Sequence, residues 1–122
     1  MRIGLDARLN AYRQGGIPQY TRQLLAAMAS CDTGDELVAL QHVKQREPLV
    51  ATANAHVRRA TLFTPPHHRL EPLTLPVELL RLGLNVLHCP DFIAPRWRPC
   101  PAVVTIHDLA FLHYPEILDD NA

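Results

Sequence analysis

The sequence predicts an α/β fold with a Rossmann-like, doubly wound and mostly parallel sheet and flanking helices. Short apolar runs typical of strands alternate along the chain with segments whose apolar residues have helical spacing. The run at residues 103–106, in "AVVTIHDL", is continuous and β-branched, as in strands that a parallel sheet buries on both faces. A length of 122 residues allows one packed core, so residues 1–122 are predicted to form a single domain.

Three strands and one helix are predicted in the first half of the chain. The strands cover residues 2–7, 37–41 and 56–63, and residues 43–56 are ambiguous. Between the first two strands, apolar residues recur at Ile17, Tyr20, Leu24 and Met28, which is helical spacing. Pro18 suits the first turn of this helix, where a missing N–H costs nothing.

The second half is predicted to form one helix followed by two strands. Thr74 is the expected N-cap of the helix, and Gly83 is its expected C-terminal stop. The strands lie in "NVLHCPD" and "AVVTIHDL", and the second is expected to be buried on both faces. The closing residues 110–122 begin as a loop, with a further helix left open. An apolar stripe of the helix is predicted to belong to the core: Leu75, Val77, Leu79, Leu80 and Leu82.

Composition and charge exclude several classes of protein. Twelve basic residues balance twelve acidic ones, which argues against a nucleic-acid-binding protein. No apolar run is long enough to span a bilayer, and the N-terminus lacks a signal-peptide core. The three cysteines are odd in number and have no CxxC spacing, so we interpret them as reduced thiols of a cytoplasmic protein.

Two adjacent glycines, Gly15 and Gly16, stand between the first strand and the first helix. Ligands of open α/β sheets bind beyond the carboxyl ends of the strands, and a helix N-terminus there suits a phosphate. Glycines would let such a ligand approach the backbone. The motif is neither a dinucleotide fingerprint nor a P-loop, and a flexible loop with a glycine cap remains an equal alternative. Arg8 and Arg13 flank the loop, where they could meet a phosphate or serve as ordinary surface charge.

Histidines and aspartates follow the last two predicted strands. His107 and Asp108 end the stronger strand and are the candidate catalytic residues: His107 would contact a ligand, and Asp108 would orient His107 or cap the next turn. His88 and Asp91 end the preceding strand, which would place His88 beside the same cleft. The possible metal set of His88, Cys89, Asp91, His107 and His113 fits no established ligand spacing, so we expect neither a metal nor a cofactor.

Three stretches resemble the N-terminal half of family-4 glycosyltransferases with the GT-B fold. They are "MRIGLDARLN", "GGIPQYTRQLL" and "VLHCPDFIAPRWRPCPAVVTIHDLAFLHYPE", of which "VVTIHDL" with "YPE" is the most specific. The resemblance implies a retaining, metal-independent transfer of a sugar from a nucleotide-sugar to an acceptor. In such enzymes two Rossmann-like domains face each other across a cleft, and the N-terminal domain mainly holds the acceptor.

The resemblance also implies roles for individual residues. The glycine loop, Gly15 and Gly16 here, approaches the donor phosphates and the acceptor, and His107 of the "HD" pair lies against the donor sugar. Family members often have a third glycine where this chain has Pro18, which removes one backbone N–H. The residues that neutralise the leaving diphosphate belong to the C-terminal domain. We therefore expect this chain to be a fragment of a longer enzyme, or to pair with a donor-binding subunit, and to be inactive alone.

The expected partners are a nucleotide-sugar donor and a sugar or lipid-linked acceptor, with contact at the inner face of the membrane left open. Arg8 and His88 join the two glycines as predicted substrate-binding residues. Two other hypotheses remain: a non-catalytic flavodoxin-like binding module, and a small metal-dependent hydrolase built on His88 and His107.

Overall fold

The computed structural model describes residues 1–31, 33–50, 56–91 and 93–108. Within this part of the chain, one parallel sheet contains the strands β1 (Arg2–Asp6), β2 (Glu36–His42), β3 (Val57–Leu62), β4 (Val86–Cys89) and β5 (Ala102–Val104). Helix α1 (Gly16–Ala29) lies between β1 and β2, and helix α2 (Glu71–Leu80) lies between β3 and β4. The predicted α/β fold with a parallel sheet is confirmed.

The strand order is β3-β2-β1-β4-β5. This is the order of the first five strands of the Rossmann fold, whereas flavodoxin-like sheets have the order 2-1-3-4-5. The strand order of the described residues is therefore not the flavodoxin-like one. The order reverses between β1 and β4, so the crevice in which such sheets bind ligands lies beyond the carboxyl ends of these two strands.

The core consists of two apolar layers, one on each face of the sheet. Successive residues of a strand point to opposite faces. In β2, Leu37 therefore packs with Leu25 of α1, while Leu40 packs with Leu79 of α2. Because both faces of β2 are covered, its residues from Leu37 to His42 are all buried, as expected for a central strand of a parallel sheet.

Helix α1 forms where the apolar spacing predicts it. Gly15 is its N-cap, and Pro18 lies in its first turn, as expected. Its buried face includes Thr21 and Leu25, and the Thr21 hydroxyl donates a hydrogen bond to the Ile17 carbonyl. In the described residues, no helix combines the length and the apolar character that crossing a membrane requires.

Helix α2 begins three residues before the predicted N-cap. Its N-cap is Leu70, and Pro72 occupies the first turn, where proline is well tolerated. Thr74 lies inside the helix, and its hydroxyl donates to the Leu70 carbonyl. The prediction of Thr74 as N-cap is therefore wrong, because the start is set by Pro72. The helix ends at Leu80, before Gly83 with its positive φ of 61°.

Three of the five residues in the predicted apolar stripe of α2 pack in the core. Leu75 and Leu79 are buried against the sheet, and Leu82 packs against the edge of the same cluster. Val77 and Leu80 are 56% and 66% exposed, so their assignment to the core is wrong. The helix has apolar residues on both sides, and the described part of the sheet covers one of them.

Strand β5 is shorter and more exposed than its β-branched sequence indicates. It pairs with β4 over three residues, and it is an edge strand in the described part of the sheet. Val103 and Val104 are 51% and 38% exposed, so the prediction of burial on both faces is wrong. A continuous β-branched run indicates a strand but cannot show what covers it. The predictions for residues 109–122 lie outside the described residues.

Candidate functional site

The glycine pair forms the N-terminus of α1 at the edge of the sheet where the strands end. Gly15 has φ +136°, a backbone conformation that side chains rarely adopt. Gly16 begins the helix, and a Cβ atom added there would meet no atom within 4 Å. The backbone conformation therefore explains a glycine at position 15, while neither conformation nor packing of the described residues requires one at position 16. The open space leaves the first helical N–H groups accessible to a ligand.

A cleft of about 480 Å³ opens beside this helix N-terminus. Arg13, Gly15 and Arg22 line it, together with polar side chains of the neighbouring loops. Two guanidinium groups and the positive end of a helix dipole favour an anion there. This cleft lies on the side of α1 that faces the end of β2, since Gln45 is also part of its wall.

The opposite side of α1 faces the ends of β4 and β5. Tyr20, one helical turn after Gly16, packs its ring against His107, with ring centroids 4.8 Å apart and an interplanar angle of 86°. The His107 Nε2 lies 2.6 Å from the carbonyl oxygen of Pro90. His107 is exposed beyond the end of β5, and Asp108 follows it, also exposed. The structure thus places His107 against Tyr20, the residue one helical turn after Gly16.

Arg8 is buried under this site rather than pointing into it. It is 3% exposed, and its guanidinium donates to both carboxylate oxygens of Asp6, to Glu71 and to the carbonyl of Thr64. Burial alone would raise the pKa of Asp6, but the Arg8 charge holds that pKa below its ordinary value. The binding of a phosphate by Arg8 stays a prediction. The observed contacts show that its guanidinium connects different elements of the fold.

His88 lies in β4, next to β5, as the sequence analysis expects. Its Nε2 is 2.7 Å from the Thr105 hydroxyl, which joins the ends of the two strands. Burial lowers the pKa of His88, because desolvation disfavours the charged imidazole. His88 is therefore neutral near pH 7, so it can hydrogen-bond to a ligand but does not supply a positive charge.

The loop between β3 and α2 crosses the crevice between β1 and β4. Pro66 of this loop, Asp6 and Asp91 line a pocket of only about 10 Å³. His67 fastens the loop: its Nε2 lies 3.0 Å from Asp91 Oδ2, and its backbone N–H donates to Glu71. The hydrogen bond to Asp91 raises the pKa of His67 and so favours the imidazolium. This crevice is therefore almost closed, whereas an open cleft lies beside the start of α1.

This ion pair predicts a pH-dependent stability. The pKa of His67 is raised on folding, so its contribution to the free energy of unfolding is complete below about pH 6.5, the ordinary value. The contribution is lost as the pH rises through the higher pKa of the folded state. We expect the stability difference between wild type and His67→Asn, measured by urea unfolding, to narrow as the pH rises above about 6.5. Asparagine is chosen because it tolerates the positive φ of 59° at this position.

His68→Asn is the matched control, since the His68 ring forms no ion pair among the described residues. The difference in free energy of unfolding between wild type and His68→Asn should change far less over the same pH range. If the corresponding difference for His67→Asn stayed constant across this range, an ion pair with Asp91 in solution would be contradicted.

The described residues contain no group of three histidine, cysteine, aspartate or glutamate side chains arranged to hold a metal ion. His107 is engaged by Pro90, and Asp91 by His67. Cys89 is buried, and this burial raises the pKa of its thiol. The fifth residue of the possible metal set, His113, lies outside the described residues.

The structure adds three contributors that the sequence analysis did not assign to the site. Tyr20 contacts His107, Pro90 offers its carbonyl, and His67 fastens the loop over the crevice. Of these three, Tyr20 alone could have been inferred from the sequence, because it stands four residues after Gly16 and hence on the same side of the helix. Neither a proline carbonyl nor a histidine in a proline-rich loop is distinguished by its sequence context.

Comparison with known proteins gives no relative: no protein-family model, no curated protein and no solved structure matches this chain. The function therefore has to be argued from the sequence patterns and the site geometry.

Proposed function

We propose that this chain is the acceptor-side Rossmann-like domain of a retaining, metal-independent glycosyltransferase of the GT-B type. Such an enzyme moves a sugar from a nucleotide-sugar to an acceptor. One observation carries the proposal: the Tyr20 ring contacts His107 and stands one turn after Gly16. A bare helix N-terminus and an exposed imidazole therefore flank one position at the carboxyl edge of the sheet, where α/β folds bind ligands.

The N-terminus of α1 would receive the charged part of the donor. Its first N–H groups are unpaired within the helix, and its dipole favours negative charge. Arg13 and Arg22 line the cleft on the other side of α1, so they add positive charge near this N-terminus without facing His107. Gly16 leaves room for close approach, since no atom lies within 4 Å of a Cβ built there. Together these groups suit the diphosphate of a nucleotide-sugar.

The imidazole of His107 would contact the sugar. It is exposed, and its ring packs against Tyr20, one helical turn after Gly16. A sugar carried on a diphosphate bound at Gly16 would extend toward it. Asp108 and His88 lie near the same strand ends, and in this proposal they border the sugar and acceptor space.

The leaving nucleoside diphosphate needs charge stabilisation, and electrostatic stabilisation of this kind usually lowers the reaction barrier more than any other single effect. In this proposal a second Rossmann-like domain or a donor-binding subunit supplies it, and this chain alone turns over no detectable donor. The proposed location is the cytoplasm, with contact at the inner face of the membrane if the acceptor is lipid-linked.

The test replaces His107 by alanine in the enzyme that this chain forms with its donor-binding partner. UDP-glucose, UDP-N-acetylglucosamine and GDP-mannose serve as donors, and the release of UDP or GDP is measured together with the anomeric configuration of the product. Removal of a group that stabilises the transition state typically costs about 100-fold or more. We expect a loss of this size for His107→Ala, and a product that retains the donor configuration.

His68→Ala is the control, because His68 is an exposed histidine outside the site. It should keep the activity of the wild type. Unchanged turnover in His107→Ala, or a product with inverted configuration, would contradict the proposal. Binding of a nucleotide-sugar without transfer in any assembly would favour the non-catalytic binding module instead.

A further inference from the structure

The contact between His107 and Pro90 fixes where the imidazole carries its proton. The Nε2 atom lies 2.6 Å from the carbonyl oxygen of Pro90. A carbonyl oxygen can only accept a hydrogen bond, so Nε2 must be the donor and must be protonated. In the neutral ring the other nitrogen, Nδ1, then holds the lone pair. The acceptor is a backbone carbonyl, which cannot change its role from acceptor to donor.

Tyr20 fixes the plane in which this imidazole lies. The two rings meet edge to face, with centroids 4.8 Å apart and planes at 86°. Aromatic pairs prefer this geometry, and an exposed histidine would otherwise rotate about its side-chain bonds. Tyr20 is half-buried on the first turns of α1, so its own ring is held by the helix.

We infer that Tyr20 and the Pro90 carbonyl are positioning groups that hold His107 as the Nε2–H tautomer, with Nδ1 as the atom that meets the substrate. The substrate part of this inference rests on the proposed function, whereas the tautomer itself does not. Tyr20 acts through His107 and is not a catalytic residue.

The inference specifies the chemistry that His107 recognises. A neutral Nδ1 offers a lone pair, so it binds a group that carries a hydrogen, such as a sugar hydroxyl. Carboxylates and the diphosphate of a nucleotide-sugar are fully ionised near pH 7 and offer no such hydrogen. The two ends of the site therefore differ: the helix N-terminus suits an anion, and His107 suits a hydroxyl group. A ligand with both groups can bind in one orientation only.

The first test measures the tautomer in the 122-residue chain without any ligand. Long-range ¹⁵N–¹H correlation spectra distinguish the two tautomers of a histidine, and His107→Gln identifies its signals. We expect wild type to show a protonated Nε2 and an unprotonated Nδ1 at a pH where the ring is neutral. A protonated Nδ1, or an average of both tautomers, would overturn the inference.

The second test compares Tyr20→Phe with Tyr20→Leu. Phenylalanine keeps the ring edge and should keep the wild-type tautomer and turnover. Leucine removes the ring contact. We expect averaging of the His107 tautomers and, in the enzyme that this chain forms with its donor-binding partner, a roughly two- to tenfold fall in kcat, given the usual size of such aromatic contacts. Equal spectra for all three proteins would show that Tyr20 has no positioning role.

The two readouts separate this inference from the proposed function. A fixed Nε2–H tautomer together with full activity of His107→Ala would contradict the proposed function and support the positioning of His107. A large loss of activity in His107→Ala together with an averaged tautomer would support the proposed function and contradict the positioning.

Discussion

Replacing Arg8 by methionine is expected to lower the free energy of unfolding by about 3–5 kcal/mol, the usual cost of removing one partner from a buried ion pair. Methionine retains much of the side-chain volume but none of the charge. Asp6 and Glu71 would then remain with side chains only 16% and 13% exposed and without their cation. Domains of this kind are stable by about 5–15 kcal/mol, so the loss is a large part of the total. Urea unfolding of both proteins near pH 7 measures it.

The pH dependence of this loss provides an internal check. Arg8 holds the pKa of Asp6 below its ordinary value, so its contribution is present at neutral pH and is lost as the pH falls through the lowered pKa. The difference between wild type and Arg8→Met should therefore shrink in acid. Arg22→Met, at an exposed position of α1, is the control and should stay within about 0.5 kcal/mol of wild type.

A second substitution shows whether the unpaired carboxylate causes the loss. Asp6→Asn in the Arg8→Met background removes one unpaired buried carboxylate, so the double variant should be more stable than Arg8→Met alone. A double variant less stable than Arg8→Met would mean that Asp6 does not depend on Arg8. Stability of Arg8→Met equal to wild type would contradict the whole network.

Local patterns were sufficient to predict the elements of the fold. The helical spacing from Ile17 to Met28 gave α1, and the alternation of strands with helices gave the parallel sheet. Patterns of this kind depend on contacts between near neighbours in the chain. The surroundings of β5 could not be predicted in the same way, because burial of Val103 and Val104 depends on which distant segments cover that edge.

The approach of His107 to helix α1 could be predicted, but the contacts that hold it could not. The rule that ligands bind at strand ends predicts Gly16 and His107 on one edge, and in the structure His107 packs against Tyr20 of the helix that Gly16 begins. The burial of Arg8 was not predictable, because its partner Glu71 lies 63 residues away along the chain and belongs to another element. The Pro90 carbonyl is a backbone group, and side-chain patterns carry no information about where it points.

Adjacent leucines of α2 test which side of that helix is part of the core. Leu79 is 0% exposed and packs in the layer with Leu40 and Leu87, whereas Leu80 is 66% exposed. We expect Leu79→Ala to lower the free energy of unfolding by about 2–5 kcal/mol, since it removes buried atoms and leaves a cavity. Leu80→Ala, the same substitution one residue later, should change it by no more than about 0.5 kcal/mol. Urea midpoints of the two variants measure both effects.

The matched pair removes helix propensity as an explanation, because both variants exchange leucine for alanine in the last turn of one helix. Any difference between them must therefore come from what each side chain contacts. A cost at Leu80 as large as that at Leu79 would mean that another surface covers the outer side of α2 in solution. A small cost in free energy of unfolding at both positions would mean that α2 does not pack on the sheet through Leu79. The assignment of Leu79 to the apolar layer that contains Leu40 would then be wrong.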